Sequence, residues 1–335
     1  MNDSTRLTLE QIYQRANTAL LAHDFSIDQA HCIAQTVTIA ERDGCTSHGL
    51  FRIPFYLAAL KNPNTNARAE PTLRVSESAV VHVDAHSGFC PLALQIGLPA
   101  IEEKARKHGI AALAIHETYN IAALWPEVEQ LAEQGLVAFA FTASNAFVAP
   151  AGGQKPVYGT NPMAFGFPRK HHPPLVFDQA SSASARGEIQ LHLRDGKELP
   201  IGWAIDVEGN PTTDPAAALA GAQLPFGGHK GASLALMVEL LAGALIGDLF
   251  SVESSAHDTH GVGSPLGGEF IIAIDPCHCG PDNHLDRAEQ LFAHVLDQPG
   301  TRLPSDRRYQ KRQVSVSEGV EVSSKILDEI DALSK

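Results

Sequence analysis

The sequence predicts an α/β fold, and three observations carry that prediction. Apolar, strand-like segments alternate with helix-like ones through the middle of the chain. Apolar residues at helical spacing mark both ends. The 335 residues are 44% hydrophobic and 19% charged, an ordinary globular balance with material for a large core and for two domains. The expected division is a helical segment over 1–75 that packs with C-terminal helices over 280–335, and an α/β region over 76–279.

Two helices open the chain. Thr8 with Gln11 and Ser26 with Gln29 have capping-box spacing, in which each side chain satisfies an exposed amide at a helix start. The first helix puts Ile12, Ala16 and Leu20 on one face. The second turns Ile33, Val37 and Ala40 inward and stops near Asp43-Gly44. "PTLRVSESAVVHVDAHSG" alternates apolar and polar residues and reads as strands. "PLALQIGLPAIEEKARKHG" reads as a helix with Gly109 past its end. "IAALAIHE" is a buried strand, "WPEVEQLAEQG" a short helix with Pro126 in its first turn, and "LVAFAFTAS" another strand. The turn-rich stretches "APAGGQKPVYGTNP" and "DVEGNPTTDP" follow between short strands. Residues 231–247, "GASLALMVELLAGALIG", form an apolar run interrupted by Glu239, too short and wrongly broken for a membrane span. A buried core helix is expected there. "EVSSKILDEIDALSK" closes the chain as an amphipathic helix.

The charge of −13 argues against nucleic-acid and anionic-membrane partners, because a phosphate surface needs a basic face. An anionic small ligand would need lysines and arginines gathered locally. Five cysteines at unrelated spacings do not form a disulfide framework. Reduced thiols, and an N-terminus without an apolar signal region, give a cytoplasmic expectation.

A dinucleotide-binding fingerprint is absent. "GVGSPLGG" (261–268) has the wrong spacing, and Lys155 of "AGGQKPVYGT" comes too early for a phosphate-binding loop. His257, His260, Cys277, Cys279 and His284 lack zinc-site spacing, so no metal is assigned. "FGGHKG" (226–231) has two readings, a turn into the following helix or an anion site at that helix's N-terminus. "RLPSDRRYQKR" (302–312) gathers five basic residues and one acid; alone it reads as a solvated helix start capped by Ser305.

"RDGCTSHGLFRIPFY" (42–56) begins where a helix stops. It combines the Ser47 hydroxyl, the His48 imidazole and the Arg52 guanidinium within six residues. An imidazole titrates near neutrality at about pH 6.5, and a guanidinium fork matches a carboxylate. The stretch is either loop punctuation or a proton donor beside a carboxylate clamp.

Taken together with "NIAALWPEVE", "TASNAFVAPAGG", "YGTNPMAFGFP", "FDQASSASARGEIQ", "LPFGGHKGASLALMVELLAGALIG" and "RLPSDRRY", this stretch resembles the malate/L-lactate dehydrogenase family. The segments occur in the family's order and span almost the whole chain. The resemblance implies a non-Rossmann NAD(P)-binding fold, with a large mixed or antiparallel sheet, flanking helices and a helical domain. Residues 76–279 would then bind cofactor and substrate. Within the family, "AALWPE" and "LPSDRRY" are most similar to the branch that reduces the cyclic imino acids delta-1-piperideine-2-carboxylate and delta-1-pyrroline-2-carboxylate with NADPH.

Carried over by residue, the resemblance makes His48 the proton donor, Ser47 its relay partner and Arg52 the carboxylate clamp, with Thr160 also touching substrate. It assigns to the NADPH site Asn120, Ile121, Ala122, Ala123 and Leu124; Asp178, Gln179 and Ala180; and Arg186 and Gly187. His229 and Lys230 join them, with Arg302, Leu303, Pro304, Ser305, Asp306, Arg307 and Arg308. It also implies a homodimer. Two positions depart from the family pattern: Glu188 stands where relatives carry the relay Asp, and Asn120-Ile121 where many carry a His-aromatic pair. Two other functions stay open, a 2-hydroxy-acid dehydrogenase of the same family (malate, lactate or ureidoglycolate type) and a non-catalytic ligand-binding protein.

Overall fold

The structure, a computed structural model, describes residues 4–258, 261 and 263–334; His260 of the histidine and cysteine group lies outside them. The chain opens with strand β1 (Ser4–Leu7), helices α1 (Leu9–Leu21) and α2 (Ile27–Arg42), two single 3-10 turns, and α3 (Ile53–Ala59). Strands β2 (Thr72–Val75) and β3 (Val80–Asp84) lead to α4 (Cys90–His108), β4 (Ile110–Tyr119), α5 (Trp125–Glu133) and β5 (Val137–Thr142). Then come β6 (Met163–Phe167), β7 (Leu175–Gln179), α6 (Arg186–Asp195), β8 (Ala204–Ile205), β9 (Pro211–Thr212), α7 (Pro215–Ala220) and β10 (Ala222–Gln223). The last part holds α8 (His229–Glu239), α9 (Ser251–His257), β11 (Leu266–Ile274), α10 (His284–Leu296), α11 (Asp306–Glu318), β12 (Val320–Ser323) and α12 (Ser324–Leu333).

Seven strands form one mixed sheet in the order β2-β3-β4-β11-β5-β6-β7, antiparallel except for the β3–β4 pair. The parallel pair needs a crossover, and α4 supplies it. Gly109 ends that helix at φ 82, a left-handed conformation that glycine adopts without strain. One sheet face buries Val81, Val83, Leu113, Ile115 and Ile271 against Ile101 of α4 and Val128 and Leu131 of α5. The opposite face packs Ala114, Phe141 and Phe270 against Val238 of α8.

The N-terminal helices behave as their spacing dictates. Ile12, Ala16, Leu20, Ile33, Val37 and Ala40 are all buried, and Thr8 and Ser26 accept hydrogen bonds from the Gln11 and Gln29 amides. Around them the chain ends meet: β1 pairs with β12, and Leu327 and Ile330 of α12 share a core with Ile12 and Ile33. The C-terminal α10 instead grips the β6–β7 hairpin through the Arg169–Glu289 ion pair.

Three expectations need correction. Residues 231–247 are not uniformly buried: α8 gives way after Glu239 to a π-helical turn (Leu240–Ala244). Ala232, Ala235, Val238 and Ala242 face inward while Leu236, Leu240 and Leu245 are exposed. One face of this helix is left uncovered among the described residues. The closing helix begins only at Ser324, because β-branched Val320 and Val322 pair with β1. Ser305 does not cap α11 with its side chain; it sits at φ 68, and its hydroxyl accepts from the Val176 amide and donates to the Pro304 carbonyl.

Gly166 of β6 admits α5 close to the sheet: a Cβ there would lie 2.4 Å from the Val128 carbonyl oxygen. Backbone cannot step aside as a side chain can. Gly166→Ala is expected to lower unfolding stability by about 1–3 kcal/mol in urea denaturation; an unchanged midpoint would show that α5 is free to lift.

Candidate active site

The Ser47–Arg52 stretch occupies the two 3-10 turns between α2 and α3. Its tightness has a visible cause. Glu41 of α2 is buried, its Oε1 accepts the Leu50 amide at 2.8 Å, and a Cβ on Gly49 would collide with that oxygen at 2.0 Å. The glycine beside His48 is therefore needed for close approach. Ser47 Oγ stands 3.1 Å from His48 Nδ1. Arg52 donates through Nε to the Ser47 carbonyl at 2.7 Å and lies over the Phe55 ring at 5.1 Å. Among the described residues no carboxylate pairs with Arg52, so its outer nitrogens are unclaimed. Burial lowers its proton affinity, yet a guanidinium stays charged at neutral pH. Burial and then the Arg52 charge pull the His48 pKa down to about 3, so the imidazole of the free protein is neutral.

Trp125, at the start of α5, meets the His48 ring edge-on with centroids 6.5 Å apart. The Arg308 guanidinium lies 4.8 Å over the same indole, and Arg308 Nη1 is buried without a partner. Beyond it, Asp178 Oδ2 accepts the Leu124 and Trp125 amides at 2.8 and 3.2 Å. Burial raises the Asp178 pKa to about 6, opposed by the Leu124 amide and by the Arg308 charge. Asn120 folds the turn before α5, accepting the Ala122 amide and donating to Glu269 at 2.6 Å. The segments 47–52, 120–125, 178 and 308 thus form one connected wall.

A second group joins at the end of β7. The Thr160 carbonyl accepts from the Ser181 amide and hydroxyl at 2.8 and 2.9 Å. The Ser181 carbonyl accepts the Phe226 amide at 3.0 Å, and Gly231 at the start of α8 packs directly against it. Thr160, residues 178–181 and the His229-Lys230 helix start are therefore contiguous. His229 and Lys230 are exposed, and among the described residues Lys230 has no ion-pair partner. Gly187 of α6 faces Arg52: a Cβ there would lie 3.9 Å from Arg52 Nη2, while Arg186 lies 3.8 Å over the Phe147 ring. Gln179, Arg302 and Arg307 are exposed.

A profile of the malate/L-lactate dehydrogenase family matches residues 7–331. The chain belongs to that family. It is 51% identical to a delta-1-pyrroline-2-carboxylate/delta-1-piperideine-2-carboxylate reductase of Pseudomonas aeruginosa, over 98% of this chain and 99% of the relative. A delta-1-pyrroline-2-carboxylate reductase of Ancylobacter novellus is 48% identical over 99% and 98%. The crystal structure of delta-1-piperideine-2-carboxylate reductase from Pseudomonas syringae pv. tomato superposes with a TM-score of 0.94 at 40% identity, covering 98% of this chain and 99% of that one. The family's dehydrogenase and reductase chemistry implies a nicotinamide cofactor.

Among the described residues no hydrogen bond joins Glu188 to the Ser47–His48 pair. It is half exposed and stands 3.7 Å from His192 one turn along its own helix. Several buried groups around the site escape sequence reading. Asp43 accepts paired hydrogen bonds from both Arg42 and Arg312, and one from the Trp125 indole. Glu269, which also accepts from Cys90 at 3.0 Å, is pushed by burial to about 7, and burial with the Glu269 charge pushes neighbouring Glu127 well above the carboxylate range. The one clue in sequence was position: Asp43 precedes His48 by five residues, and Trp125 heads the "LWPE" helix.

Glu41 yields a pH prediction. Burial, opposed by the Leu50 amide, raises its pKa from 4.5 to about 7. The folded state thus binds this proton more tightly, and stability falls as pH rises through that window. Glu41→Gln keeps the acceptor for Leu50 and removes the titration. Its stability relative to the parent should rise between about pH 5 and pH 8, by up to ~3 kcal/mol. A difference independent of pH in denaturant titrations would contradict the buried-carboxylate account.

Proposed function

We propose that this protein reduces the cyclic imino acids delta-1-piperideine-2-carboxylate and delta-1-pyrroline-2-carboxylate to L-pipecolate and L-proline, with NADPH as the reductant. One observation carries the reading: a part-buried Arg52, without a carboxylate partner among the described residues, stands beside the Ser47–His48 pair in a chain half identical over its full length to reductases of these compounds. A 2-carboxylate next to a C=N bond supplies the missing anion. Arg52 fixes the ring through a two-pronged hydrogen bond, and the Thr160 hydroxyl adds a polar contact.

The residues present fit a phosphorylated dinucleotide. Arg308 has a buried, unpartnered Nη1, and Arg302, Arg307 and Lys230 are exposed cations in a protein of net charge −13. The N-terminus of α8, with His229 and Lys230, adds backbone donors for a phosphate. Asn120 to Leu124, Asp178 to Ala180, Arg186-Gly187 and 302–308 are the segments that would hold it. When bound, the reduced nicotinamide supplies the hydride that adds to the C=N carbon.

This chain's own work is to orient the ring and handle a proton. The free His48 imidazole is neutral, because burial and the Arg52 charge oppose protonation. Once the substrate carboxylate offsets that charge, the imidazole's affinity for a proton rises, and His48 can deliver one to the ring nitrogen. Ser47 holds the other ring nitrogen and sets the tautomer. The relay is assigned to Ser47 and His48 without Glu188. The free thiols of all five cysteines support a reducing, cytoplasmic setting, and the exposed Leu236, Leu240 and Leu245 supply an apolar face for a homodimer.

Purified protein is expected to oxidise NADPH rapidly with the cyclic imino acids and slowly with oxaloacetate or pyruvate; the reverse preference would make it a 2-hydroxy-acid dehydrogenase. His48→Ala should fold, still bind NADPH, and lose about 10²–10⁴-fold in turnover. Full turnover in that variant would remove His48 from the mechanism and leave orientation as the whole of catalysis.

A further inference from the structure

Glu239 is the one charge within the apolar run 231–247, and no step described so far uses it. It is buried at 5% exposure, with both carboxylate oxygens taken. Oε1 accepts from Asn161 Nδ2 at 2.8 Å and from the Ser251 hydroxyl; Oε2 accepts the Ser251 amide at 2.9 Å. These partners flank Thr160. The Ser251 oxygen also accepts the Gly159 amide at 2.8 Å, and Asn161 is locked in turn, its Oδ1 accepting the Ser144 amide and its Nδ2 donating to the Ala235 carbonyl. Asn161 adopts φ 36, a left-handed conformation that is strained for a residue with a side chain unless neighbours hold it. A Cβ on Gly159 would meet Ser144 Oγ at 2.3 Å and Asn161 Oδ1 at 2.5 Å. The backbone is thus pinned on either side of Thr160, and both pins run to one carboxylate.

We infer that Glu239 is a positioning residue for substrate: through Asn161 and Ser251 it sets the Gly159–Asn161 turn and thereby the Thr160 hydroxyl. This rests on the reading of Thr160 as a substrate contact. The chemistry demands a carboxylate. Three donors converge on Glu239, and an amide at that position offers one oxygen and presents an NH2 group to the remaining donor. The apolar walls, Ala235, Val238 and Ala242, leave no solvent to relieve the mismatch. The π turn that starts at Leu240 follows directly on this anchor.

The test compares Glu239→Gln, Thr160→Val and the double variant. Steady-state kinetics with delta-1-piperideine-2-carboxylate are read together with NADPH affinity from fluorescence titration in the absence of substrate. Thr160→Val and Glu239→Gln should each raise the imino-acid KM roughly tenfold or more, with kcat changed less and NADPH affinity unchanged within about twofold. The double variant should be no worse than the poorer single one, because both act through one hydroxyl. If Thr160→Val leaves KM unaltered, the substrate contact is wrong and this inference falls with it. If Thr160→Val raises KM and Glu239→Gln does not, the contact stands and the role of Glu239 is refuted. Effects that multiply in the double variant, or a matching loss of NADPH affinity, would also refute it by placing Glu239 in the general fold. Should Glu239→Gln fail to fold, Ser251→Ala deletes the hydroxyl that bridges Glu239 to the Gly159 amide and takes its place, with the same outcomes.

Discussion

The carboxylate of Asp43 holds this molecule's site together. Its side chain is wholly buried at the end of α2, where burial alone would raise its pKa, yet Arg312 and Arg42 hold it below the usual range. Two guanidinium forks and the Trp125 indole N–H saturate its acceptor positions. Each partner comes from a different place: α2 itself, α11 and the head of α5. Arg312 also reaches Glu129 at 2.7 Å, tying α11 to α5 a second time. Removing one member of such a buried cluster strands the others, a cost of about 3–5 kcal/mol. The cluster therefore acts as a joint whose geometry has few alternatives. His48 lies five residues beyond it in the chain, and Trp125 carries the constraint to the imidazole edge.

That joint explains how an acidic protein divides its arginines. Arg42, Arg169 and Arg312 are committed to Asp43, Glu289 and Glu129, and their role is structural. Among the described residues Arg52, Arg308 and Lys230 form no ion pair, and they stand where the candidate site's segments meet. A cation kept part-buried without a counterion is unfavourable unless a ligand supplies the charge. The pattern of paired and unpaired cations, more than the net charge, separates the framework from the surface proposed to bind.

Buried acids have a parallel division. Asp43 and Glu239 are saturated with donors and anchor turns. Glu41, Glu269 and Asp178 are pushed upward by burial to about 7, 7 and 6, and they lie behind the turns at 48–50 and 120–125. Their proton occupancy is set by the packing of α2, α5 and β11, which makes the site's electrostatics a property of the sheet and its covering helices. The same burial, with the neighbouring Arg52 charge added to it, reduces His48 to a neutral imidazole in the free protein.

The elements whose spacing or caps are local were legible in the sequence. Thr8 and Ser26 started their helices, Gly109 ended α4, and "IAALAIHE" became the central strand β4. The motifs also carried the family, because residues 42–56, 226–231 and 302–308 kept their order. Long-range pairing was not legible: β1 and β12 lie at opposite ends of the chain, and neither has a partner until both are folded. Ser305 was misread for the same reason, its hydroxyl being drawn to Val176 from a distant strand. Glu239 looked like an interruption in an apolar run until Asn161 and Ser251 arrived beside it. The sequence by itself determined the elements and the inventory of reactive groups, since those follow from side-chain periodicity and chemistry along a few neighbouring residues. Which arginine is spent on a buried acid, and which forms no ion pair among the described residues, was decided only by the tertiary structure, because charge pairing depends on distances that the folded chain alone brings under 3 to 4 Å.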